Sequence, residues 1–303
     1  KITKTGENSG WLVKCVVGSV REATDFLGLP VEDRSANEPR VTNIPPDFAV
    51  DLNAAPKGLL FLDEINTAME STRKAMLRLL QERYAGDYKL HDHVRIVAAQ
   101  NPPETSVGGV ELDHAIANRM MHLAWAFDLD EWMRGMTLGW DDLNQPGIED
   151  LAGGGTDADH ARATSLVTGF INAMPAELTL DPPTDPVLAG KAWASPRSWS
   201  NLRDVLAWVD ADDEEALSLC VEGLVGEGSA KKFLEWLAIS DLHNPSDVLA
   251  DPSIVDWRGE RPDRLFGLMS GIEAIAVSKG DADTWMQAME VLTQAAEHGR
   301  PDV

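Results

Sequence analysis

Leu59-Leu60-Phe61-Leu62-Asp63-Glu64 is an apolar run that stops on two adjacent carboxylates, and its reading decides the fold. Four large apolar residues in a row, without polar alternation, predict a strand buried on both faces over Gly58 to Leu62, as in the middle of a parallel sheet. Upstream, Trp11 to Val17 reads as another strand. Downstream, Thr67 and Glu70 have capping-box spacing, and Met69, Met76, Leu79 and Leu80 recur at helical intervals up to about Arg83. Gly86-Asp87 and His91-Asp92 are turn pairs, so Tyr84 to Val94 predicts a short hairpin. Val94 to Ala99 then reads as a third strand, Leu112 to Met120 as a short helix and His122 to Phe127 as a last strand. Strands alternating with helices are the pattern of an α/β sheet with helices on its faces.

After Asp128 the spacing changes to helical throughout, with polar connections that include Gly153-Gly154-Gly155. Ala161–Met174, Pro196–Val209, Glu214–Leu224, Ala230–Ile239, Pro262–Ser278 and Ala282–His298 all read as helices, with Pro196 in a first turn. The expected organisation is an α/β core over residues 1–129, a helical lid over 130–240 and a helical extension over 241–303. The chain has 303 residues, 44% of them hydrophobic, enough for a sizeable core. No apolar run reaches membrane-spanning length, and Lys1 to Gly10 lacks the apolar stretch of a signal peptide, so the cytoplasm is expected. Cys15 and Cys220 are far apart and in no CxxC spacing, which predicts core thiols rather than a disulfide or a zinc site. Lys and Arg number 26 against 50 Asp and Glu, a formal charge of -24. Without a basic run, such a chain is repelled by phosphate backbones, which argues against a nucleic-acid partner and for a protein one.

A buried strand carries its last residues rigidly to the carboxyl edge of a parallel sheet, where ligands of such sheets bind. In nucleotide hydrolysis the first acid, Asp63, suits a hydrated Mg²⁺, and the second, Glu64, suits the attacking water. The plainer alternative is a core strand running into an acidic helix start. The next strand ends in Ala99-Gln100-Asn101-Pro102, where Asn101 is placed to bond the same water or a γ-phosphate; it is also an ordinary turn residue before proline. Arg119 follows a short helix, and its planar fork suits a phosphate shared between subunits, or simply the surface. Arg197, in Ser195-Pro196-Arg197, is a cation in a helix first turn, which the helix dipole disfavours unless an anion or an acidic side chain lies near. His91 and His93 flank Asp92 on the hairpin and read as a solvated tip rather than a metal site.

In this order the four signals resemble the Walker B, sensor 1, arginine finger and sensor 2 elements of AAA+ ATPases, and the wording is most similar to the MoxR family. Leu59 to Asn66 is similar to its Walker B segment, Ala99 to Pro102 to its sensor 1, Asn118-Arg119-Met120 to its finger and Ser195 to Arg197 to its sensor 2. Thr24 to Gly28 with Asn43 to Ala55 resembles that clade's insert, and the Tyr84–Val94 hairpin its extra hairpin. The resemblance covers roughly residues 11 to 210. It implies ATP and Mg²⁺ as ligands, with Asp63 and Arg197 binding and Glu64, Asn101 and Arg119 in catalysis. It further implies a homo-oligomeric ring, a hexamer, that remodels partner proteins as a chaperone, among them proteins with a von Willebrand factor A domain. A magnesium- or cobalt-chelatase motor subunit and a non-hydrolysing scaffold are the alternatives.

One element of the family pattern does not occur: no G-x-x-x-x-G-K-[ST] is found in the 303 residues. The resemblance places that loop upstream of Trp11, so either this sequence is a piece of a longer protein or the subunit does not hydrolyse ATP; the first is the expectation. These 303 residues, without the amides and lysine that cradle β- and γ-phosphates, are therefore expected to bind ATP weakly and to turn over none. Steady phosphate release from the purified chain, stoichiometric with ATP loss, would show that another segment supplies the cradle.

Overall fold

Strands and helices alternate in the first part of this chain, and helices alone make up the second. The computed structural model describes residues 11–33, 38–103, 105–106, 108–140, 154–179, 181–210, 212–240 and 242–300. The chain divides into two compact units, Lys1–Arg119 and Met120–Val303. The first holds a parallel sheet of β1 (Trp11–Val17), β4 (Lys57–Asp63) and β7 (Val94–Ala98), in the order β1-β4-β7. Parallel neighbours need crossovers. Between β1 and β4 run α1 (Ala23–Leu27), the antiparallel pair β2 (Leu29–Asp33) and β3 (Arg40–Ile44), and α2 (Asp47–Ala54). Between β4 and β7 run α3 (Glu70–Glu82) and the hairpin of β5 (Tyr84–Ala85) and β6 (Tyr88–Lys89). The short α4 (His114–Ala117) follows.

The hairpin turns at Gly86 with φ 61°, as its Gly-Asp pair predicts. A Cβ there would fall 1.9 Å from the Leu27 carbonyl oxygen at the end of α1, so only glycine fits. Asp87 accepts from the Asn43 side-chain amide at 2.9 Å and ties the turn to β3.

Strand β4 departs from the expected two-sided burial. Gly58, Leu60 and Leu62 are buried while Leu59 and Phe61 are half-buried. The inner face packs into a core that includes Leu52, Met76, Leu79 and Val94, and a methyl added at Gly58 would lie 3.1 Å from the Leu52 and Val94 side chains. The other face carries the row Cys15, Phe61 and Val97, set side by side by the register, with Cys15 and Val97 exposed. Cys15 is therefore not the core thiol expected, because the described residues cover one face of the sheet only in part. Cys220 is half-buried, and burial pushes its thiol above the usual range. The Thr67–Glu70 capping box does not form either. Helix α3 starts at Glu70, and the Thr67 hydroxyl donates instead to the Glu64 carbonyl at 3.0 Å while Glu70 pairs with Lys74 at 2.6 Å.

The second unit is helical: α5 (Leu129–Leu138), α6 (Asp157–Ala173), α7 (Pro186–Ala189), α8 (Pro196–Leu206), α9 (Glu214–Val225), α10 (Glu227–Ile239), α11 (Pro245–Ala250), α12 (Pro262–Lys279) and α13 (Ala282–Glu297). Thr156 and Asp159 form a reciprocal capping box for α6, and Asp213 and Asp281 cap α9 and α13 through their carboxylates. Phe170 on α6 is the hub of an aromatic core. Its ring centroid lies 5.1 Å from Trp199, 5.2 Å from Phe233 and 5.7 Å from Trp236. Helix α12 lies along α6 because glycines permit it: a Cβ at Gly267 would meet the Ser165 carbonyl oxygen at 2.6 Å.

Helix α12 joins α6 within the one unit Met120–Val303. The core does not extend to 129, because the expected strand His122–Phe127 is not formed. An apolar run becomes a strand only where an edge receives it, and here the His122 amide donates at 2.7 Å to the carbonyl of Gly223 in α9. Leu123, Trp125 and Phe127 stay exposed, Trp125 at 97%, and the apolar residues Trp132, Met133, Met136 and Leu138 of α5 continue that surface. Gly153 lies outside the described residues; Gly154 and Gly155 form the loop at positive φ. No helix among the described residues is long and apolar enough to cross a membrane.

Truncating the hub tests this core. Phe170→Ala should cost about 3–5 kcal/mol, read as a lower urea midpoint for the helical transition. A loss under about 1 kcal/mol would mean that the aromatic cluster is not packed as described.

Candidate functional site

Because β1, β4 and β7 run parallel, their carboxyl ends emerge at one edge, and β4 is central. Asp63 is its last residue, level with Val17 of β1. The half-buried Asp63 carboxylate accepts the Glu64 amide at 2.9 Å. Just past the strand the β4–β7 ladder continues: the Ala99 amide donates to the Leu62 carbonyl at 2.8 Å, and Ile65 donates to Ala99 at 3.3 Å. The ends of the two strands are thus fixed to each other where Asp63 and Glu64 stand.

Glu64 is held in the left-handed region at φ 53°, a conformation that costs a residue with a Cβ of the order of 1 kcal/mol. The Glu64 carbonyl accepts from the Thr67 amide at 3.1 Å and from the Thr67 hydroxyl, which closes the turn. Its side chain accepts a hydrogen bond from the hydroxyl of Ser19, in the 3₁₀ turn Gly18–Val20 that follows β1. A side chain at Gly18 would crowd the Glu64 carbonyl at 3.1 Å. The two neighbouring acids therefore differ in setting: Asp63 caps its own turn, and Glu64 is drawn toward the end of β1.

Asn66 is fully buried and joins two loops, its own after β4 and the one that follows β7. Its amide nitrogen donates to the Asn101 carbonyl at 2.9 Å, its carbonyl accepts from Val110 at 3.2 Å, and its Oδ1 has no hydrogen-bond partner. Asn101 is thus placed at the site through its peptide, and its side chain is exposed. Sequence reading did not single out Ser19 and noted Asn66 only inside a motif. The signal for Ser19 was its position, two residues past an apolar strand that runs parallel to β4.

Arg119 follows α4, which Asp113 caps by accepting from the Ala115 amide at 2.7 Å. The Arg119 guanidinium is half-buried and folds back to donate to the Ala115 carbonyl. Arg197 belongs to the second unit, as the second residue of α8, whose N-cap Ser195 exchanges hydrogen bonds with Ser198. It is exposed, and among the described residues no carboxylate forms an ion pair with it. The structure so brings Asp63, Glu64 and the Asn101 peptide to one sheet edge. Arg197 stands in a body of its own.

Among the described residues no three His, Cys, Asp or Glu side chains gather as a metal cage. His93 is engaged with the Leu52 carbonyl at 3.1 Å, and its ring meets that of His91 edge-on at 5.5 Å.

No protein-family model matches the chain, and no curated protein matches it. Among solved structures, it is similar to one described as "a putative ATPase from Cytophaga hutchinsonii ATCC 33406". The two are 18% identical with a TM-score of 0.39, over 75% of this chain and 67% of that one.

The left-handed backbone at residue 64 has a measurable signature. Glu64→Gly should be more stable than Glu64→Ala by about 1 kcal/mol, because only glycine adopts φ 53° without crowding its Cβ. If chemical denaturation finds the alanine variant equal or better, Glu64 does not hold this conformation in solution.

Proposed function

We propose that this chain is an ATP-binding and ATP-hydrolysing module of AAA+ type, similar to the MoxR kind, that works in a homo-oligomeric ring on protein partners. The observation that carries the reading is the acid pair at the carboxyl end of the central parallel strand, with its two carboxylates held in different ways. A buried strand that stops on Asp-Glu for structural reasons alone has no need of a strained backbone at the second acid. The strain fits a carboxylate set at a defined point above the sheet edge.

In this reading Asp63 is the group that would hold Mg²⁺. A single carboxylate suits that ion, which keeps several waters and takes its remaining oxygens from phosphates rather than from a protein cage. When bound it would neutralise charge on the phosphate oxygens. Glu64 orients and polarises the attacking water as its carboxylate, and Ser19 keeps it turned toward β1 until then. Asn101, anchored through Asn66, lies one strand over, where its exposed amide is free to bond the same water or the γ-phosphate. Arg119 serves a neighbouring subunit's nucleotide, which requires its guanidinium to leave the Ala115 carbonyl. Arg197 offers its fork to phosphates from the helical unit, where no described carboxylate competes for it. The ring, with hexameric closure, and a von Willebrand factor A domain partner follow from the resemblance to MoxR.

The test uses a protein that carries the phosphate loop implied upstream of Trp11. Glu64→Gln keeps size and removes the charge that polarises water, so ATP should stay bound and uncleaved. Asp63→Asn should instead weaken Mg²⁺-dependent nucleotide binding. Two variants that both hydrolyse ATP at the parental rate would return the Asp-Glu pair to a structural role.

A further inference from the structure

We propose that the outward face of α13, independently of the nucleotide reading, is a docking surface for an amphipathic helix with a basic flank, presented by a partner protein. Helix α13 carries two apolar faces, and the body of its unit covers one. Thr284, Ala288, Val291 and Ala295 are buried, and they recur at the three- and four-residue steps of a single helix face. Trp285, Met289, Leu292 and Ala296 recur at the same steps, yet all are exposed, the three large ones by 38% to 57%. At about 100° per residue, this second stripe stands roughly a quarter-turn from the buried face. Exposed apolar side chains scattered singly are ordinary, but a stripe along most of a helix marks an interaction surface. Its spacing is that of a and d positions, the seam along which a second helix packs.

Charge selects the occupant. Asp283, Glu290 and Glu297 stand seven residues apart on the flank of the stripe farther from the buried face, and Met286 lies between them and it. All three acids are exposed, and α13 contains no lysine or arginine. A helix laid along the stripe brings its own flanking side chains against that row, so lysine or arginine there is attracted and an acid is repelled. The same row disfavours the other coverings of an apolar stripe. A second copy would bring the same acids and a further formal charge of -24. Anionic lipid surfaces attract basic segments, and helices that lie on them carry Lys and Arg on the polar face, which α13 does not. Met286 and Met289 are unbranched and pliable, so the surface fits a class of helices rather than a single sequence.

The test titrates the full chain with a synthetic peptide of about three heptads, with leucine at a and d and lysine or arginine beside them. Calorimetry should show saturable binding that weakens as salt is raised, and circular dichroism should show the peptide becoming helical. Met289→Glu changes an exposed side chain on which folding does not depend. It should lower affinity about tenfold or more, because it puts a charge into the apolar contact. General attraction between a basic peptide and an acidic chain would instead grow with the added negative charge, so undiminished affinity in Met289→Glu overturns the proposal. Equal binding by a peptide with glutamate in place of its basic residues overturns it too, as does equal binding by a peptide of the same composition in scrambled order. Failure of the basic peptide to bind would also overturn it. So would self-association of the chain that Met289→Glu abolishes, which would give the stripe to a second copy.

Discussion

Everything at the candidate site depends on three strands that run the same way, with β4 in the middle. Parallel order is what puts the end of each strand, and whatever residue follows it, on one edge of the sheet. An antiparallel neighbour would have sent Ser19 or Asn101 to the opposite end from Asp63. The ladder past the strand ends, Leu62 to Ala99 and Ala99 to Ile65, extends that order into the turns. Buried Asn66 then continues it by a side-chain hydrogen bond where backbone pairing stops. The site is thus an extension of the sheet, positioned by backbone hydrogen bonds and then by the side-chain bonds of Asn66 and Ser19.

How much of this the sequence disclosed follows from the range of the interactions concerned. Apolar runs and turn pairs are local, and they located β1, β4, β7 and the hairpin at Gly86 closely. Helical spacing did the same for α6, α8, α9, α12 and α13. What depended on partners far along the chain was less visible. The segment His122–Phe127 has the composition of a strand, but its first amide is taken by Gly223, a hundred residues on. Thr67 and Glu70 have the spacing of a capping box, yet the Glu64 carbonyl competes for the threonine and Lys74 for the glutamate. One-sided burial of β4 was likewise hidden, since a sequence reports apolarity and not how many layers cover it. Of the site, the strand-end carboxylates were legible because their position is set by a local pattern. The partnership of Ser19 with Glu64 spans two strands, and no local pattern carries it.

The helical unit shows the same division between near and far. Its caps are written plainly, since Thr156, Asp213 and Asp281 stand where helix starts need oxygen acceptors. Its assembly rests on glycines that pattern reading passed over. Gly169 and Gly267 stand where α6 and α12 approach, with only 3.1 Å between a Cβ built at Gly267 and the Cα of Gly169. That approach lets α12 lie along α6. It also fixes α6, the helix that carries the Phe170 hub.

The surface from Leu123 to Leu138 gives the molecule two opposed tendencies in solution. Its side chains include Trp125, Phe127, Trp132 and Met136, all exposed, on a chain with formal charge -24. At low ionic strength the acidic excess keeps copies apart, because like charges act over tens of ångströms. At physiological salt that range shrinks to about 8 Å, so the repulsion no longer reaches far beyond contact distance. Added salt thus screens what keeps copies of this chain apart and leaves apolar contact untouched, the opposite of its effect on an assembly held by ion pairs.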